Sequence, residues 1–195
     1  LRYLPDEMKI EELGRNPAGT FVWDLEASND GKIYGAVYPG AKMFVYDIKS
    51  HTFQDLGSIK PGQQYVRGSG ISADYLYAGI GSTAYLYRID LKTHQKKELL
   101  LPFSGKPGFI HEIQVFDHKL FVKAPGGMHV IDEETEEVIT IIQANGDKIS
   151  SPSPYNPNLV YYNRGIDLYS YNMATNNITK IEGIPALPGG IMQTY

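Results

Sequence analysis

Apolar and polar residues alternate at every second position along this chain, in short runs broken by Gly, Pro, Asn and Asp. The stretch from Ile33 to Gly57, IYGAVYPGAKMFVYDIKSHTFQDLG, shows it best: two alternating runs, a tight turn and a third run. Met43 and Val45 share one face of such a run, and Tyr85, Tyr87 and Ile89 share a face opposite Leu86 and Arg88. A spacing of two is that of a strand. No segment places apolar residues at i, i+3, i+4 and i+7, so the pattern predicts an all-β chain. Tyr, Val, Ile and Phe fill the runs, and turn formers fill the breaks.

The pattern repeats. Leu76 to Leu99 copies the stretch from Ile33 without a gap, and Leu120 and Val160 begin two more copies. All four carry a turn of the form Asp/Asn-x-x-Ser/Thr: Asp47 with Ser50, Asp90 with Thr93, Asp132 with Thr135, Asn172 with Thr175. Short polar side chains close such turns by bonding nearby backbone. A repeat of about 40 residues with several strands per unit is the signature of a propeller blade. The expectation is therefore a single β-propeller domain or propeller fragment over residues 1–195. Four antiparallel four-stranded blades are expected near residues 20–57, 64–100, 109–142 and 148–182. Residues 8–14 match the outer strand of a preceding blade, Leu13-Gly14 echoing Leu56-Gly57, and residues 191–195 read as the start of a following one. A chain that opens in an outer strand and closes in an inner one is expected to be part of a larger ring of six to eight blades, the alternative being four blades that close with the extra strands placed irregularly. The remaining blades would come from the same chain or a second copy.

Composition narrows the function. The formal net charge is -4 with both signs interspersed, so no basic stripe exists to hold a nucleic-acid backbone. There is no cysteine, which removes disulfides and thiolate metal sites. No apolar run approaches the roughly 20 residues of a membrane-spanning helix. His118 and His129 have no partner at metal-ligand spacing, and Gly79-x-Gly81 sits between two strands rather than before a helix, so neither a metal nor a cofactor is expected.

Inner strands line the axis of a propeller, so the positions that face it are the candidate site. Nine residues before each second strand lie Asp24, Arg67, His111 and Ser151, and the residues just before these are Trp23, Val66, Ile110 and Ser150. The first set is expected to form a polar arc around the axis, either lining a wet channel or holding a ligand. Loops at the same mouth add Tyr38, Tyr65, Lys106 and Arg164, a set that suits an anionic ligand.

The segments GKIYGAVYPGAKMFVYD and YLYAGIGSTAYLYRIDLKT resemble repeats of bacterial β-propeller proteins, both quinoprotein-like propellers and propellers of polysaccharide-processing proteins. The Trp-Asp blade ending of WD40 repeats is not present, since Trp23-Asp24 falls in an inner strand, and the quinoprotein docking motif fails because Trp23 is the only tryptophan. The resemblance implies an extracellular or cell-surface setting, with a cytoplasmic one still open. Two functions are expected from it and from the tyrosine-rich surface. The first is a binding module for a glycan or protein at the channel mouth. The alternative is a lyase or related sugar-cleaving enzyme on an anionic polysaccharide, in the lyase with His111, Tyr38 or Tyr65 as base and Arg67 as the cation that holds developing charge.

Overall fold

The computed structural model describes residues 1–184, so the expected strand at 191–195 lies outside the described residues. An opening hairpin pairs β1 (Arg2–Leu4) with β2 (Lys9–Glu11) across a single 3-10 turn, so the strand expected over residues 8–14 is shorter, leaves Leu13-Gly14 outside it and pairs with β1. Three four-stranded antiparallel sheets follow. The first is β3 (Phe21–Ala27), β4 (Lys32–Tyr38), β5 (Lys42–Asp47) and β6 (Thr52–Ser58). The second is β7 (Tyr65–Ile71), β8 (Tyr75–Gly81), β9 (Tyr85–Asp90) and β10 (Lys96–Leu99). The third is β11 (Glu112–Phe116), β12 (Lys119–Ala124), β13 (Gly127–Asp132) and β14 (Val138–Ile142).

The fourth sheet has three strands, β15 (Leu159–Arg164), β16 (Asp167–Asn172) and β17 (Ile178–Lys180). Its expected inner strand over Lys148–Ser153 does not form as a ladder. Pro152 and Pro154 have no N–H to donate. Two bonds, Ser150 N to Tyr161 O at 2.9 Å and Ser153 N to Leu159 O at 2.8 Å, still hold the segment beside β15.

The shared turns form as their spacing implies. The backbone N–H groups two and three residues on donate to Asp47, Asp90, Asp132 and Asn172 at 2.7–3.1 Å. Each turn then places its next residue in the left-handed region: His51, His94, Glu136 and Asn176. The donated bonds hold the Asp47, Asp90 and Asp132 carboxyls below the usual carboxylate range.

Stability comes from what lies between the sheets. Tyr34, Ala36, Met43 and Val45 of the first sheet meet Leu76, Ala78, Ile80 and Ile89 of the second. Tyr77 and Leu86 meet Ile110, Leu120, Val122 and Ile131 of the third. Phe121, Met128 and Val130 meet Val160, Tyr162 and Tyr171 of the fourth. Burying each large apolar side chain contributes about 1.5–3 kcal/mol, which outweighs any single turn. Among the described residues, the other face of the first sheet has no such partner sheet. Val37, Phe44 and Tyr46 there are covered in part by Leu13, and a groove of about 420 Å³ stays open between Val22, Leu25, Ile48 and Phe53. Ile33, Phe44 and Tyr46 hold the positions that Leu76, Tyr87 and Ile89 hold in the second sheet, which the first sheet covers.

One polar contact also ties sheets together. The Tyr77 hydroxyl donates to Glu133 Oε1 at 2.9 Å, and His118 Nδ1 lies 2.9 Å from Oε2. Burial pushes the Tyr77 phenol far above its ordinary range, so it stays a donor at every physiological pH. Glu133 is only 9% exposed. Tyr77→Phe strips one donor from that buried carboxylate and is expected to lower unfolding free energy by about 1.5–3 kcal/mol. Urea denaturation checks this, and an unchanged midpoint would show that His118 alone satisfies Glu133.

Candidate functional site

The inner strands carry two bulges, and these build the site. Between β3 and β4 the register shifts between Val22 and Asp24, leaving Trp23 as the extra residue. Between β7 and β8 it shifts between Val66 and Gly68, leaving Arg67 extra. In the third sheet His111 N donates at 3.0 Å to the carbonyl of Lys123, the residue paired with Glu112, so His111 holds the same place. Bulges re-aim side chains away from the pleat. Here they send Trp23 and Arg67 to one mouth, where Phe109 and His111 join them.

The equivalent of Arg67 is therefore Trp23, not Asp24. Ala27 pairs with Ile33 but Ile71 pairs with Leu76, so the first hairpin is one residue longer and a fixed offset of nine misplaces its inner strand. Ser151 is misplaced for the same reason. Its neighbour Ser150 pairs with Tyr161, so Ser151 stands where Val115 stands in the third sheet, exposed and three residues or more from the site position.

Around the mouth the rings run on without a break. Phe21 and Trp23 have centroids 4.7 Å apart, and Trp23 and Tyr65 are 6.2 Å apart. Tyr38 stacks on Tyr65 at 4.8 Å with 21° between planes. Tyr65 meets Phe109 edge-on at 5.7 Å, and Phe109 meets His111 at 5.7 Å. The Arg67 guanidinium lies 4.4 Å over the Trp23 ring, a cation–π contact. Phe21 is 52% and Trp23 36% exposed. Aromatic surface of this extent left open to water is unusual away from a binding face.

Deeper along the same strands the chemistry turns acidic. Asp24 Oδ2 accepts from Ser69 N at 2.8 Å and Ser69 Oγ at 3.0 Å, so Asp24 fastens the first inner strand to the second rather than standing free in the channel. Burial, then the charges of Asp24 and Glu112, push the Glu26 carboxyl up to about 7 against the pull of Lys148. Burial also raises Glu112, opposed by Lys148 at 3.1 Å. Glu26 belongs to the first sheet and Glu112 to the third, yet the Glu112 charge reaches Glu26 across the second.

Glycine makes that approach possible. A Cβ at Gly68 would lie 2.8 Å from the His111 carbonyl carbon and oxygen, and one at Gly70 would lie 2.7 Å from Ile113 Cγ2. Bare backbone at these two positions lets β11 close on β7 and carries His111 and Glu112 inward.

Of the residues expected at the site, Trp23, Tyr38, Tyr65, Arg67 and His111 come together. Lys106 is exposed in the loop before Phe109, its carbonyl accepting from Ala84 N at 2.9 Å, and Arg164 is exposed at the tip of the β15–β16 hairpin. Phe21, Phe109, Glu26, Glu112 and Lys148 are members that the fixed offset did not reach. A signal existed: Phe21, Tyr65 and Phe109 recur every 44 residues, as do Trp23, Arg67 and His111. Among the described residues, no three His, Asp or Glu side chains are placed to hold a metal.

No protein-family model matches the sequence, and no curated protein matches it. Solved structures do match. U3-55K superposes with a TM-score of 0.60 at 13% identity, covering 85% of this chain and 53% of that one. The WD40 repeats of RRP9 give 0.57 at 13%, covering 83% and 51%. Kuenenia stuttgartiensis hydrazine synthase gives 0.60 at 13%, covering 82% and 49%. At such identities the likeness shows the fold alone. The chain is a partial β-propeller, and it spans about half the length of these structures.

Proposed function

We propose that this partial propeller is a binding module whose ligand, a protein, seats on the aromatic mouth around Trp23. The observation that carries it is the unbroken ring surface from Phe21 to His111, exposed at Phe21 and Trp23 and held by bulges on successive inner strands. Tyr, Trp and Arg are the residues that anchor protein interfaces. One matched structure belongs to an assembly, the mitotic checkpoint complex, at 15% identity and a TM-score of 0.54. That supports a protein ligand by analogy of fold only.

A glycan ligand would use the same rings. The lyase reading fits less well, because Asp24, Glu26 and Glu112 put carboxyls on the same inner strands as the residues that would have to hold a polyuronate. The companion proposal of an extracellular or cell-surface setting rests on the propeller resemblance, and cell fractionation tests it.

Protein and glycan arrays probed with the chain test the main reading. On whatever ligand is captured, Arg67→Ala is expected to weaken binding by about 1.5–3 kcal/mol, the range for a hydrogen bond to a charged group. The fold should be unchanged by circular dichroism, since Arg67 is half-exposed. Full affinity in both Arg67→Ala and Trp23→Ala would move the site away from the mouth.

A further inference from the structure

Wherever two sheets meet in this chain, they meet in the same way. The earlier sheet presents an aromatic ring from its second strand and a Met or Leu from its third. The first sheet gives Tyr34 and Met43 to the second, the second gives Tyr77 and Leu86 to the third, and the third gives Phe121 and Met128 to the fourth. The later sheet receives them on a cross-strand apolar pair: Leu76 with Ile89, Leu120 with Ile131, Val160 with Tyr171.

Two faces are left over, and they are of opposite kinds. The far face of the fourth sheet repeats the presenting pattern. Tyr161 and Leu168 stand where Phe121 and Met128 stand, since Asn163 pairs with Leu168 as Lys123 pairs with Met128. The open face of the first sheet repeats the receiving pattern, Ile33 pairing with Tyr46 as Leu76 pairs with Ile89. Among the described residues no sheet packs on either face. The chain thus carries both halves of one more joint, at opposite ends of its stack.

We propose that a second copy of this chain completes that joint. The Tyr161–Leu168 face of one copy docks into the groove between Val22, Leu25, Ile48 and Phe53 on the first sheet of the other, and the reciprocal contact closes a ring of two copies. The occupant follows from the register. An unrelated protein would have to reproduce the spacing of ring and aliphatic side chain, whereas a second copy already has it. Contacts between unlike faces form rings when the rotation closes. The solved propellers matched above have about twice the length of this chain, the amount that one further copy adds. Leu25 is 56% exposed, with Val22 and Ile48 exposed beside it, a continuous apolar surface of the sort that marks an interface. Asn163 and Ser170 stand on the presenting face where the first sheet has Ala36 and Val45. The joint between copies therefore buries less apolar surface than the joints within a copy, and it parts first on dilution.

Sedimentation equilibrium tests this on the 195-residue chain. The mass should be twice the 21.8 kDa of one copy and should fall to that of one copy on dilution, before any unfolding. Leu25→Arg puts a charge into the receiving face, and Leu168→Arg puts one into the presenting face. Each variant alone should sediment as a single copy. Mixed together they should pair again, because the unaltered fourth sheet of the first meets the unaltered first sheet of the second. Where Leu168→Arg does not fold by circular dichroism, Tyr161→Ser takes its place, removing the ring without adding charge. A single-copy mass at every concentration would give the groove to some other occupant and overturn the inference. Pairing that survives both replacements puts the contact elsewhere and overturns it too. Variants that separate but do not pair on mixing would show like faces meeting, and species that grow past two copies would show a joint that never closes; either result refutes the two-copy ring.

Discussion

Gly68→Val is expected to destabilise the chain by about 3 kcal/mol, the top of the usual range for overpacking a close-packed interior. What the new side chain meets is backbone: His111 C and O at 2.8 Å and Glu112 N at 3.0 Å from the first added carbon alone. A flexible side chain can swing aside, but β11 can yield only by moving as a strand. Movement of β11 takes His111 and Glu112 with it, so the mouth should open as stability falls. Trp23 is the only tryptophan and sits at that mouth, so its emission should shift to the red in the folded variant. Gly62→Ala is the matched control. Gly62 has φ +83 with nothing within 4 Å, so alanine there meets only the left-handed penalty of roughly 1–2 kcal/mol. Urea unfolding followed at Trp23 distinguishes the two. Equal midpoints would mean that β7 and β11 do not touch through glycine.

The contrast between those two glycines bears on what a sequence discloses. Strand spacing, turn chemistry and blade repeat were legible because they are local. The Asp-x-x-Ser/Thr turn needs only its own residues, and its four copies close alike. The site was legible only in part because it depends on register. One extra residue between Ala27 and Ile33 moves every inner-strand position of the first sheet by one, turning Trp23 rather than Asp24 toward Arg67. Gly68 and Gly70 are silent in a pattern of apolar and polar letters, yet they decide how near the third inner strand comes. Pro152 and Pro154 are visible in the sequence, and their missing N–H groups account for the lost inner strand of the fourth sheet. The raised Glu26 carboxyl was not legible, because Glu112, whose charge acts on it, lies 86 residues away and reaches it only across the second sheet.

Phe121→Ala is expected to cost about 3–5 kcal/mol, the usual loss for emptying a buried aromatic site. Phe121 is fully buried between the third and fourth sheets, edge-on to Tyr171 at 5.8 Å and against Phe116 at 6.1 Å. The cost should fall unevenly. In a repeat architecture each unit leans on its neighbours alone, so a cavity at one interface loosens that interface first. The fourth sheet has the least else to hold it: three strands, and an inner segment joined by two backbone bonds. Amide exchange in Phe121→Ala should therefore lose protection first over β15 and β16, at Tyr162 and Tyr171, while β4 and β5 of the first sheet keep theirs. The mouth is built from the first three sheets, so ligand capture through Trp23 should survive at temperatures where the fourth sheet has already opened. Loss of protection at the same rate in all four sheets would show that the stack opens as one unit, and binding and blade integrity would then fail together.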